Sequence, residues 1–287
     1  MTPLVGLMVA VGMLVVVPLG LRLIDDDHGR LGPIGQVWPV AGGVGAASLL
    51  LPRGGLATAL ASGYAAVTLW LAALALARLA RRRRLDPVEI AVLTAMVTPA
   101  VAGIALVAER AGYELLGYGM TWLALTVAHF HFAGFAAALV AGLAASATGG
   151  ALAGAAALSV PAGTVIVAVG FFTGDLTELV GTVVLTAGMW ATGWVVWRAV
   201  RPTSAVPATR VLFAICAATP VVTMVLALGW AAGAVWPDVP HLSVELMAAT
   251  HGVLNALGFG LCGVVAWRRL QAERSRRPRE ADVMPSA

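Results

Sequence analysis

Nine apolar runs, each close to the length of a membrane crossing, follow one another between residues 4 and 267 with only short polar pieces between them. They fall at 4–23, 34–52, 56–80, 88–108, 117–143, 151–172, 178–200, 209–232 and 243–267. An α-helix needs roughly 20 residues to cross the hydrocarbon layer. In that layer each segment must satisfy its own backbone N–H and C=O groups, which long apolar runs do as helices. The composition agrees: 60% of the 287 residues are hydrophobic and only 11% are charged, too few charges to coat a soluble domain. The expected fold is an all-α polytopic membrane helix bundle of about nine spans. It forms one domain over 1–268, followed by a charged, disordered cytoplasmic tail at 269–287.

Arginine placement gives the orientation, since basic residues collect on cytoplasmic loops. With the N-terminus outside, Arg22, Arg30, Arg78, the run 81–84, Arg198, Arg201, Arg210 and the six arginines from 268 to 279 lie inside. Sixteen of the 18 basic residues then agree, leaving Arg53 and Arg110 outside. An even number of spans breaks the pattern. The net charge of +4 is therefore a topology signal and not the footprint of a nucleic-acid partner. The first run lacks a cationic start and an A-x-A cleavage site before "RLIDDDHGR", so it is expected to stay attached as a span of a plasma-membrane protein. Cys216 and Cys262, both inside apolar runs, are expected to be packing residues.

Within the spans the polar residues are few. Three helices carry a central proline (Pro99, Pro161 and Pro220), and a neighbouring hydroxyl, Thr98 or Thr219, is placed to repair the backbone bond that proline removes. His129 and His131 sit mid-span in "TVAHFHFAGF", and His251 with Asn255 in "THGVLNALGFG". Ionisable groups at membrane depth are costly and face a cavity or a partner, so they mark a candidate site. His129 and His131 are two apart, about 200° around a helix, and point to opposite faces. One imidazole is expected to share a pocket with His251, and the other to meet a different helix or a second ligand. His251 and Asn255, four apart, share a face. Glu178 and Glu245, one turn inside the outer surface, are candidate acids. Glu109, Glu114, Asp175 and His241 are expected at the pocket mouth, with Asp238 beside them and Asp175 placed to cap the helix of Glu178. His28 and His241 sit at the membrane interfaces.

The pairing of "HFHFAGF" with a later "HGVLNALGFG" resembles the YndJ-like family of bacterial integral membrane proteins, over about the last two-thirds of the chain. Separately, "VAHFHF" is similar to the haem-ligating helix of haem-copper oxidase subunit I, where an H-x-H pair serves two haems on opposite sides of one helix. The chain departs from that pattern: it has five histidines and no adjacent His-His pair for copper. That resemblance implies at most a haem or metal ion held by His251 with His129 or His131.

The reading that follows is an enzyme without a cofactor, acting on a lipophilic small molecule among membrane lipids. Histidine and carboxylate would exchange protons in a cyclisation, isomerisation or hydrolysis, because imidazole titrates near operating pH. Two alternatives stay open. One is a proton-coupled transporter, since broken helices around mid-membrane polar groups are what carriers use. The other is a haem- or metal-binding redox protein. No phosphate loop, H-E-x-x-H or G-x-S-x-G motif supports ATP-driven or serine-hydrolase chemistry.

Overall fold

A computed structural model describes residues 1–24 and 31–281; His28 therefore lies outside the described residues, and side chains are described as far as Arg276. Among these residues there are nine helices and no strand: α1 (Pro3–Leu21), α2 (Leu31–Leu49), α3 (Gly55–Arg82), α4 (Pro87–Ala111), α5 (Met120–Thr148), α6 (Ala151–Thr173), α7 (Asp175–Thr203), α8 (Pro207–Val235) and α9 (Val244–Arg276, its helical geometry continuing to Ala281). Eight are long and apolar enough to cross a membrane, which makes this a multi-pass membrane protein. The ninth, α2, is of similar length, but five glycines, Gln36 and two prolines dilute its apolar character.

Short turns force each helix to run back along its predecessor. Thr2 and Asp86 cap α1 and α4 by accepting the N–H of Val5 and Glu89. Gly149 and Gly150, both at positive φ, make the tight turn from α5 to α6. The hairpin of α6 and α7 is closed by four glycines. A Cβ at Gly163 or Gly170 would fall within 3 Å of the α7 backbone, and one at Gly181 or Gly188 within 3 Å of α6. Small residues thus let two backbones meet where no hydrophobic effect draws helices together.

The central helix is α5, the most buried of the candidate spans. From His131 to Ala145 only Ala133 and Leu143 keep partial accessibility. Three π-helical stretches meet around it at mid-depth: Gly12–Val16 of α1, Phe130–Ala136 of α5 and Leu254–Leu261 of α9. Single wide turns of this kind inside α-helices concentrate at functional sites.

Two details differ from what the sequence suggests. The last helix does not end at 268. Arg268 donates to the Gln271 side chain at 2.7 Å, and Ser275 donates to the Gln271 carbonyl at 3.0 Å. Ser204 and Thr209 donate to Glu273, so the first part of the expected tail is a docked helix. The expected proline repair is also not made by either hydroxyl, since Pro220 frees the Cys216 carbonyl and Pro99 that of Ala95. Thr219 donates to Ile215 at 2.8 Å, whereas the buried Thr98 hydroxyl has no partner, wedged against Gly134.

Candidate functional site

The two ends of the bundle are held by buried charge. At the arginine-rich end Glu89, 4% exposed, accepts from Arg78 at 2.6 and 2.9 Å and from Arg82 at 3.0 Å. At the opposite, acidic end Glu109 is fully buried. It accepts from Arg53 at 2.8 Å, from the Met1 amine at 3.3 Å and from Arg110, whose guanidinium also donates to the carbonyls of Ser48 and Leu51. Glu109 is thus the centre of an ion cluster and not a group lining a pocket mouth. Buried charges persist only when paired this closely.

Between these ends the histidines divide. His131 is completely buried: its Nδ1–H donates to the Val127 carbonyl at 2.6 Å, and its Nε2 accepts from the Tyr64 hydroxyl of α3 at 2.5 Å. Tyr64 in turn stands edge-on to Trp38, whose indole N–H donates to Met13 at 2.8 Å. Gly12 gives the His131 ring its space, since a Cβ there would lie 2.9 Å from the His131 Cβ. His131 therefore joins α5 to α1 and α3.

His129 leaves the opposite face of α5. Its side chain keeps accessible surface. Trp122, Thr126 and Ala133 continue the same accessible stripe, and from Gly134 to Gly142 the helix is buried. The reason is a divergence of helices. The outer half of α5 scarcely touches the outer half of α9, while their π-helical stretches at mid-depth meet. The outer halves of α5 and α9 therefore stand apart, and the gap between them, called the cleft below, ends at the π-helical contact at mid-depth.

On the α9 side stands His251, partly buried. Its Nδ1–H donates to the Thr223 carbonyl of α8 at 2.8 Å. Asn255, one turn on, places its amide nitrogen 3.3 Å from His251 Nε2, while its Oδ1 accepts from the Thr223 hydroxyl at 3.0 Å. The His129 Nδ1–H donates to Leu125 of its own helix at 2.8 Å. Each of the three imidazoles thus spends its Nδ1 proton on a backbone carbonyl, which fixes the tautomer and leaves Nε2 as a lone pair. At His129 that lone pair has no partner among the described residues, whereas at His251 it faces the Asn255 amide nitrogen.

The structure therefore brings together His129, His251 and Asn255, and adds Thr223. The carboxylates stand higher. Counted from the helix starts at about 1.5 Å per residue, His129 lies roughly 14 Å and His251 roughly 11 Å down, against about 5 Å for Glu178 and 2 Å for Glu245. Glu178 is half-buried where the α7 backbone crosses Gly170, and Glu245 is exposed on the first turn of α9, whose cap is Ser243. Glu114, Asp175 and Asp238 are exposed, and the cap of α7 is Gly174, not Asp175. His241 is exposed at the rim, with its ring edge-on to Trp230 and its Nδ1–H on the Val239 carbonyl. Tyr118 donates to the Phe171 carbonyl and, with Trp122 and Phe172, forms an aromatic margin where α5 begins.

Tyr64 and Thr223 had one sequence signal, a hydroxyl inside an apolar run. Neither spacing nor motif tied them to a histidine. A metal bound here would take two imidazoles from the protein; among the described residues no group of three or more His, Cys, Asp or Glu side chains gathers in ligand geometry. The family model described as YndJ-like protein matches residues 7–259, a span that takes in every residue of the cleft. No curated protein and no solved structure matches the chain.

Proposed function

The chain belongs to the YndJ-like protein family, and from that premise we propose a plasma-membrane enzyme that moves protons on a lipophilic small molecule held between α5 and α9. What supports the reading is that His129 and His251, on helices that diverge above mid-depth, both have their Nδ1 protons committed to carbonyls, which leaves Nε2 of His129 without a partner among the described residues and Nε2 of His251 beside the Asn255 amide. One imidazole takes a proton from the substrate at Nε2 and returns the same proton to another substrate atom, so an isomerisation or cyclisation needs no further reactant. Asn255, tied to Thr223 through its oxygen, keeps its amide protons for His251 and for a substrate oxygen. The aromatic margin and the apolar helix walls suit a substrate arriving from the bilayer. In this reading Glu178 exchanges protons between the cleft mouth and water, and no longer acts as the acid at the reacting atoms.

The test uses full-length protein in liposomes, incubated with lipid extract from the cells that make it, with products separated by chromatography. Positioned acid–base groups contribute about 10²- to 10⁴-fold, so His129→Ala and His251→Ala each remove detectable conversion while the protein stays folded. Conversion that persists unchanged in both variants ends the proposal.

A second reading has its own support. Imidazoles that anchor one N–H on a carbonyl and present the other nitrogen outward are set as metal ligands are. The same two histidines would then hold a metal ion or haem, and the absorption spectrum and metal content of the purified protein separate the two readings.

A further inference from the structure

We propose that the arginine-rich end carries a seat for the phosphate of an anionic lipid headgroup, between the turn that joins α7 to α8 and the last turns of α9. A cavity of about 220 Å³ lies there, lined by Val206, Arg269, Ala272, Glu273 and Arg276. Its one carboxylate is already engaged. Glu273 accepts from the Ser204 hydroxyl at 2.7 Å and from Thr209 at 2.7 Å, neither of which lines the cavity. Arg269 donates through Nε to Thr209 at 3.2 Å, which fixes the guanidinium against the cavity. Arg276 is exposed and has no hydrogen-bond or ion-pair partner among the described residues.

The surroundings repeat the excess of positive charge. Arg201 rests on the Trp197 ring at 3.9 Å with its buried Nε lacking any acceptor, and Arg198 lies 5.5 Å over Trp194. Seven arginines (198, 201, 210, 268, 269, 274 and 276) thus share this end of α7, α8 and α9 with Glu273 as the single acidic side chain among those described. Exposed tryptophans at a helix end mark headgroup depth, and basic pockets between helices on the cytoplasmic side take anionic headgroups. A phosphate would give the forked guanidinium donors the acceptors they lack. The tryptophans set the source as a lipid: exposed at the helix end, they hold the cations at headgroup depth.

The experiment is native mass spectrometry of the full chain in detergent with equal amounts of phosphatidylglycerol and phosphatidylcholine, then with inorganic phosphate added. The expected result is selective retention of phosphatidylglycerol that inorganic phosphate does not displace. Retention should fall about tenfold in the Arg269→Gln, Arg276→Gln double variant, on the scale of one or two charge-assisted hydrogen bonds. The single Arg276→Gln variant, at an exposed side chain without partners, guards against misfolding and should show part of the same loss. Arg84→Gln, on the exposed cytoplasmic run beside Asp86, should retain the lipid fully. Equal retention of both lipids, or undiminished retention in the double variant, overturns the proposal. Displacement of the lipid by inorganic phosphate at matched concentration also overturns it, and makes the cavity a free-phosphate site.

Discussion

The two halves of α5 are made of similar residues and behave differently. From Gly134 to Ala145 the helix is buried except at Leu143, and the ends of α3 and α4 are locked by Arg78, Arg82 and Glu89. Above Gly134 one stripe stays open from Trp122 to Ala133, and α9 leans away. His131 and His129 sit on either side of that divide. One has both nitrogens occupied; the other keeps a free lone pair. Polarity alone does not make an imidazole functional: what distinguishes the two is whether a neighbouring helix has come close enough to use the second nitrogen.

Substitutions can break this comparison, beginning with the sealed half. Glu89→Ala strands the buried Arg78 guanidinium and should cost about 3–5 kcal/mol, read as a large fall in the unfolding midpoint in detergent. Tyr64→Phe leaves His131 Nε2 without its donor and should cost about 1–3 kcal/mol, seen as a smaller fall. In the open half His129→Ala removes an accessible side chain and should leave the midpoint within about 2 °C while abolishing conversion. Glu245→Gln, at an exposed first-turn position, should change neither the midpoint nor conversion. A midpoint shift in His129→Ala as large as that of Tyr64→Phe would mean that the two histidines do the same structural work, and the contrast would collapse.

Much of this plan was legible in the chain. Run length and arginine placement indicated nine helices, because a bilayer constrains both more tightly than a soluble core constrains its elements. The 200° between His129 and His131 indicated that they serve different neighbours. What escaped was depth and partnership. Glu245 and His251 share one helix, but the cleft lies more than a turn below the carboxylate. Glu109 reads as a helix end until Arg53 and the Met1 amine, distant in sequence, are seen to close on it. Thr223 and Tyr64 are ordinary members of apolar runs until α9 and α5 pack beside them. Such pairings are decided by tertiary approach, which no spacing rule encodes.

The wide turn at Phe130–Ala136 has one more consequence. A π turn holds one residue more than an α turn, so removing a single amino acid there would let the backbone tighten instead of breaking it. The residues beyond the deletion would keep their faces, while those inside the stretch would change direction: His131 would turn away from Tyr64 and His129 would keep its place opposite α9. In that sense the surplus residue is the spacer that lets one helix answer to two different sets of neighbours.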